Sequence, residues 1–94
     1  MACVYVLHSK LLNKYYVGSC LDLNKRVEQH NAKEFKQAFT TRVNNWEIYF
    51  VIQDLDYKQA RSIEKHIKRM KSKKYVENLK LFPLLVQKLK ELYK

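Results

Sequence analysis

Five side chains spread along this chain share a chemistry: the phenols Tyr5 and Tyr16, the guanidinium of Arg26, the imidazole of His30 and the carboxylate of Glu64. Gathered into one pocket, such a set suits hydrolysis of a phosphodiester. A carboxylate can hold a hard divalent cation such as Mg²⁺. The cation and an arginine can neutralise the charge that builds on the phosphorus oxygens. A phenol or an imidazole can accept a proton from water. A free phenol has a pKa of about 10, so a tyrosine base needs nearby cations that favour its phenolate.

Each of these residues also has a plainer reading. Tyr5 and Tyr16 suit ordinary strand packing. Arg26 and His30, four apart, suit a solvated helix edge, and Glu64 can pair with Lys68 at i, i+4. The convergence must therefore come from the elements that carry them.

"CVYVLH" at 3–8 is β-branched and aromatic and reads as a strand. Its alternation puts Cys3, Tyr5 and Leu7 on one face and Val4, Val6 and His8 on the other. Asn13 supplies a turn residue, and "KYYVGS" at 14–19 makes the second strand of a hairpin. That strand holds Gly18, the single glycine of the chain. A glycine there permits close approach of backbone or substrate.

"LDLNKRVEQHN" at 21–31 reads as a helix capped by Asp22, with Leu23 and Val27 on its apolar side. Residues 32–45 have no convincing period and read as a loop. "WEIYFVIQ" at 46–53 is apolar on both faces, as a central strand would be. Residues 56–71 have helical period, with Asp56 as cap and Ala60, Ile63, Ile67 and Met70 as the apolar stripe. Glu64 borders that stripe. "SKKYVENLK" continues as a shorter helix. Pro83 suits the first turn of a last helix with Leu85, Leu89 and Leu92 on one side. The order β-β-α-β-α-α-α predicts an α+β fold, a small three-stranded antiparallel sheet flanked by helices.

Ninety-four residues make one domain's worth of chain. Cys3 and Cys20 read as small apolar fillers with free thiols. The start "MACVYVLHSK" has no secretory pattern, and no apolar run approaches the roughly 20 residues a bilayer requires. A cytoplasmic, reducing location is expected. The net charge is +10, and it is one-sided. Residues 1–56 hold seven basic and six acidic groups, residues 57–94 twelve and three. That asymmetry favours a polyanion, nucleic acid before an anionic membrane surface. Arg61, Lys65, Lys68, Arg69, Lys71, Lys73 and Lys74 make up a basic run that suits a polyanion or a plain solvated face. His8 and His66 match no role. Tyr15, Tyr49, Tyr57, Tyr75 and Tyr93 read as packing or surface residues.

The order of the five chemical residues resembles the GIY-YIG nuclease superfamily. "CVY" at 3–5 stands where that family has its first tripeptide, and "YVG" at 16–18 where it has the second. Arg26 and His30 in "KRVEQHN", then Glu64 in "ARSIEKHIKRMKSKK", follow in the family's order. The first glycine of the motif is Cys3 here. The stretch resembles small stand-alone bacterial members, similar to the N-terminal nuclease domain found in the bacterial ABC excinuclease.

The resemblance implies a nuclease domain over residues 1–80, with 81–94 a helical extension of it. It implies an endonuclease hydrolysing DNA phosphodiester bonds with Mg²⁺ or Mn²⁺, acting on branched or damaged DNA as in DNA repair. Glu64 would be the metal ligand, Tyr5 or Tyr16 the proton acceptor, Arg26 the phosphate binder and His30 the group that orients water. DNA is the expected partner, with RNA as a second candidate and no membrane or small-molecule cofactor. The alternatives are an inactive nucleic-acid-binding module on the same fold, and an interaction domain docking through its last helix.

Overall fold

The structure, a computed structural model, describes residues 1–31 and 46–94, with the side chain of His30 excepted. The loop expected at 32–45 lies outside the described residues. Two strands come first, β1 (Ala2–Ser9) and β2 (Lys14–Cys20), then helix α1 (Leu23–Asn31) and strand β3 (Glu47–Leu55). Helices α2 (Tyr57–Met70), α3 (Lys73–Leu81) and α4 (Pro83–Leu92) complete the chain. The α+β order and the antiparallel sheet are those expected from the sequence.

The hairpin closes through local side-chain bonding. The buried Ser9 hydroxyl accepts from the Leu12 amide at 3.2 Å, and Asn13 takes the left-handed φ of 52° that asparagine tolerates. Both predicted caps form. Asp22 accepts from the Lys25 amide at 3.1 Å and Asp56 from the Gln59 amide at 2.7 Å, each satisfying a donor the helix leaves unpaired.

The strand order is β2-β1-β3. This corrects the expectation that β3 is central. β1 holds the middle because it is the strand buried on both faces; only His8 of its residues is half-buried. The pairing of β3 with β1 shifts register twice, between Ala2 and Val4 and between Val6 and Leu7. Near the first shift Asp54 has φ 62°. The second shift breaks the apolar alternation, so Ile48 turns out to solvent at 47% exposure while Phe50 and Ile52 pack inward.

Two cores result, one on each face of the sheet. Val4, Val6, Val17 and Ile52 pack against Ala60, Ile63 and Ile67 of α2, Val76 and Leu79 of α3, and Leu89 of α4. On the other face Cys3, Tyr5, Leu7, Cys20 and Trp46 pack with Leu23 and Val27 of α1. The stripe of α2 ends at Ile67, since Met70 is exposed, and Leu92 is likewise exposed beyond Leu89.

Helix α4 is fastened by more than Leu89. Gln59 donates to the Lys90 carbonyl at 3.2 Å, and His66 Nδ1 lies 2.8 Å from the Tyr93 hydroxyl. Leu89→Ala is therefore expected to cost about 2–4 kcal/mol of stability, read from urea unfolding monitored at Trp46. A last helix merely appended to residues 1–80 would leave the midpoint unchanged.

Candidate active site

Gly18 pairs with Tyr5 across the hairpin, on the same face of the sheet. The far end of the Tyr5 ring lies over Gly18: a Cβ built on the glycine would sit 2.5 Å from Tyr5 Cζ. No φ is positive at Gly18, so the glycine serves close approach and not a special backbone shape. With no side chain there, the phenol of Tyr5 ends over β2, its hydroxyl above Gly18. Tyr16 stands beside it, ring centroids 6.4 Å apart, and is itself braced edge-on by Trp46 at 6.4 Å.

Glu64 reaches the same edge from the opposite layer. Its helix packs on the other face of the sheet, but residue 64 lies beside the buried stripe and its carboxylate extends to β2. Ser19 Oγ donates to Oε1 there, and Lys68 Nζ donates to Oε2 at 2.7 Å. Lys68 Nζ also lies 5.6 Å from the centre of the Tyr16 ring. The i, i+4 pairing of Glu64 with Lys68 is thus present, and it falls within the cluster. Ser19 was not singled out from sequence. Its signal was its place in "YVGSC", facing opposite to Gly18.

Arg26 projects from α1 into a hollow of about 270 Å³ shared with Cys20, Asp22, Lys25 and Tyr57. It is close enough to Tyr5 to favour the phenolate of that residue. His30 lies one turn later on α1, with its side chain outside the description. Tyr5, Tyr16 and Glu64 thus lie along β2, and Arg26 borders the hollow at Cys20 on the same strand, near enough to Tyr5 to act on its phenol.

The seven cations read as one run do not share one face. Lys68, Lys71 and Lys73 line a groove of about 360 Å³ beside Tyr16, joined by Lys14, which sequence reading did not select. Lys65 and Arg69 border a second hollow with Tyr93, which shares Lys68 with the first, and the Arg69 guanidinium donates to the Tyr93 hydroxyl at 3.3 Å. Arg61 lies against Tyr57, its Nη1 3.5 Å from the hydroxyl. Lys74 is exposed near the start of α3. Helical twist divides residues that are neighbours in sequence.

Burial raises the Tyr5 phenol well above its ordinary range, Tyr16 adds to the effect, and Arg26 opposes it. Tyr15 is pushed up to about 12, first by burial and then by Tyr49 and Glu77. Cys20 is also pushed up to about 12, by burial and by Cys3, whose sulfur is 3.9 Å away. Both cysteines are free and buried, as fillers would be.

Among the described residues no cluster of three or more His, Cys, Asp or Glu gathers. The cage that calcium or structural zinc requires is not formed there. One carboxylate beside a lysine-lined groove is compatible with Mg²⁺, which keeps several waters and takes phosphate oxygens.

Residues 1–76 match the family described as the GIY-YIG catalytic domain. The chain belongs to the GIY-YIG family. A relative from Autographa californica nuclear polyhedrosis virus, named "UPF0213 protein in VLF1-GP41 intergenic region", is 32% identical over 87 residues, 92% of this chain and 83% of its own length. No solved structure matches the chain. Membership in this nuclease family makes nucleic acid the substrate class. Among the described residues no helix is long and apolar enough to cross a membrane.

Two measurements test the packing of this GIY-YIG site. Gly18→Ala is expected to lower stability by about 1–3 kcal/mol, because the new methyl meets a fixed ring. The same change in a Tyr5→Ala background is expected to cost at least about 0.5 kcal/mol less. Equal costs in both backgrounds would mean that the glycine does not serve the phenol. The second measurement is alkaline titration. Cys20, ordinarily at 9.0, and Tyr15, ordinarily at 10.0, keep their protons in the fold up to about 12. The unfolded chain gives them up earlier. Stability is full below the unfolded values and falls as pH rises from about 9 to 12. The urea midpoint followed over that range should decline, and Tyr5→Phe should remove part of the slope.

Proposed function

We propose that the protein is a metal-dependent endonuclease that hydrolyses DNA phosphodiester bonds, with the scissile phosphate at the outer edge of β2. What carries the reading is the meeting there of two phenols, an arginine and one carboxylate from three different layers of the fold. Packing accounts for the buried Tyr5 ring, and phosphate chemistry gives a use for the whole set. The electropositive groove beside it supports a polyanionic substrate.

Glu64 would hold one divalent ion, Mg²⁺ or Mn²⁺, with water and phosphate filling the other positions. When bound, the ion supplies charge neutralisation to the phosphate oxygens. Ser19 orients the carboxylate by its hydrogen bond to Oε1. Lys68 neutralises Glu64 in the free protein, and its flexible stem lets it turn to a phosphate instead. Arg26 binds the scissile phosphate from the α1 side. His30, one turn on, orients the attacking water or shares its proton.

The two tyrosines differ in their surroundings. Tyr5 is 1% exposed, and its burial makes the phenolate harder to form than in a free phenol. It acts as a hydrogen-bond donor that positions its neighbours. Tyr16 is half-buried and opens onto the groove, where it meets water and takes the proton. Branched or damaged DNA, as in repair, is the substrate form this reading favours.

Glu64→Gln is expected to lower Mg²⁺-dependent nicking at least about 100-fold while DNA binding persists. Tyr16→Phe is expected to lower kcat by about 100-fold or more, and Tyr5→Phe by less. The readout is cleavage of a panel of labelled substrates: single strand, duplex, flap, four-way junction and RNA, with and without Mg²⁺ or Mn²⁺. Undiminished cleavage by purified Glu64→Gln protein would remove that residue from the mechanism. Binding without cleavage of any substrate by the unaltered protein would leave a binding module on the same fold.

A further inference from the structure

We propose that the groove between β2 and the α2–α3 corner is a seat for an unpaired nucleotide of a DNA strand, directly next to the scissile phosphate. This rests on the nuclease reading above and narrows its substrate. The groove has two unlike parts. Its rim is cationic: Lys14 from β2, Lys68 and Lys71 from the end of α2, and Lys73 from the start of α3. Its floor is apolar, made by Val17, Ile67 and Val76, whose buried side chains close the bottom. Tyr16 forms the wall toward Glu64.

The rim is held in place. Lys73 Nζ donates to the Asn13 carbonyl at 2.9 Å and ties the hairpin turn to α3. Lys71 has the left-handed φ of 49° that ends α2, and its amide donates to the Lys68 carbonyl at 3.3 Å. Ser72 then caps α3, accepting from the Tyr75 amide at 3.1 Å. The amides at the start of this nine-residue helix add positive potential to the side of the groove already lined by lysine.

The two parts call for different halves of one ligand. Lysines attract the phosphates of any nucleic acid. An apolar floor below them has a partner only where a base face is exposed. In a duplex those faces are covered by stacking, whereas in a single strand they are free to pack on apolar and aromatic side chains. The groove volume of about 360 Å³ is in the range of a small-ligand site, roughly 300–1,000 Å³. Its place matters as much as its lining. This groove involves β2 at residues 14–17, the Arg26 hollow involves β2 at Cys20, and the Ser19–Glu64 bond lies between them. A strand following the β2 edge places an unpaired nucleotide on one side of the cut.

The test uses the unaltered protein in EDTA, so that binding is read without cleavage. Fluorescence anisotropy compares a labelled single-stranded oligonucleotide, the blunt duplex of the same sequence, and that duplex with an unpaired tail. The single strand and the tailed duplex are expected to bind about tenfold more tightly than the blunt duplex. The double variant Lys14→Gln, Lys71→Gln is expected to weaken single-strand binding and lower its log–log salt slope by about one to two. A 2-aminopurine in the tail should change fluorescence on binding, and the variant should lose that change.

Equal affinity for blunt and tailed duplexes overturns the proposal, as does an unchanged salt slope in the double variant. Nicking of blunt duplex as fast as tailed duplex overturns it while leaving the nuclease reading intact. Failure to bind any of the three DNAs would end both.

Discussion

Everything at the candidate site depends on one absent side chain. Tyr5 belongs to the central strand and is enclosed by neighbours on both sides. Its phenol extends over β2, and it does so where β2 has no Cβ. The single glycine of the chain is therefore a steric requirement of the Tyr5 ring's position. Burial of the same phenol then sets its character, since a hydroxyl removed from water holds its proton.

The position of β2 at the edge of the sheet is the second constraint. An edge strand with unpaired backbone groups is a liability that proteins usually cover or charge. Here the edge is flanked by two grooves, and residues from both layers bend round to it. Glu64 and Lys68 arrive from the α2 layer and Arg26 from the α1 layer, while Tyr5 and Tyr16 belong to the hairpin itself. A carboxylate paired with an ammonium and a neighbouring hydroxyl is locally satisfied without being sealed from solvent. The cationic rim beside it supplies attraction that is long-ranged at low salt and screened within about 10 Å at moderate salt. In the proposed reading, electrostatics brings a polyanion to the edge and packing determines which part of it fits.

Much of the fold was legible because its signals are local. Period-two alternation marked the hairpin, and caps Asp22 and Asp56 formed as read. Ala60, Ile63 and Ile67 announced the buried stripe of α2. What misled was also local. β3 looks central because it is apolar on both faces, yet its register slips twice against β1 and Ile48 ends in solvent. Pairing partners and bulges are long-range choices that composition does not report. The lysines of residues 65–74 read as one surface, but a helix, a left-handed turn at Lys71 and a second helix divide them among different hollows.

By itself, the sequence determined the inventory: two phenols, an arginine, an imidazole and one carboxylate in family order, a cationic second half, and elements long enough to carry them. Those features reside in residue type and spacing, which tertiary contacts do not alter. Tertiary structure alone decided that β2 lies at the edge, that Ser19 and Lys68 hold Glu64 there, and that Lys14 joins Lys71 and Lys73 across a groove. Most of those facts join residues from different elements. Their proximity is fixed by sheet order and layer packing, and these emerge only when the apolar faces of all the elements are buried together.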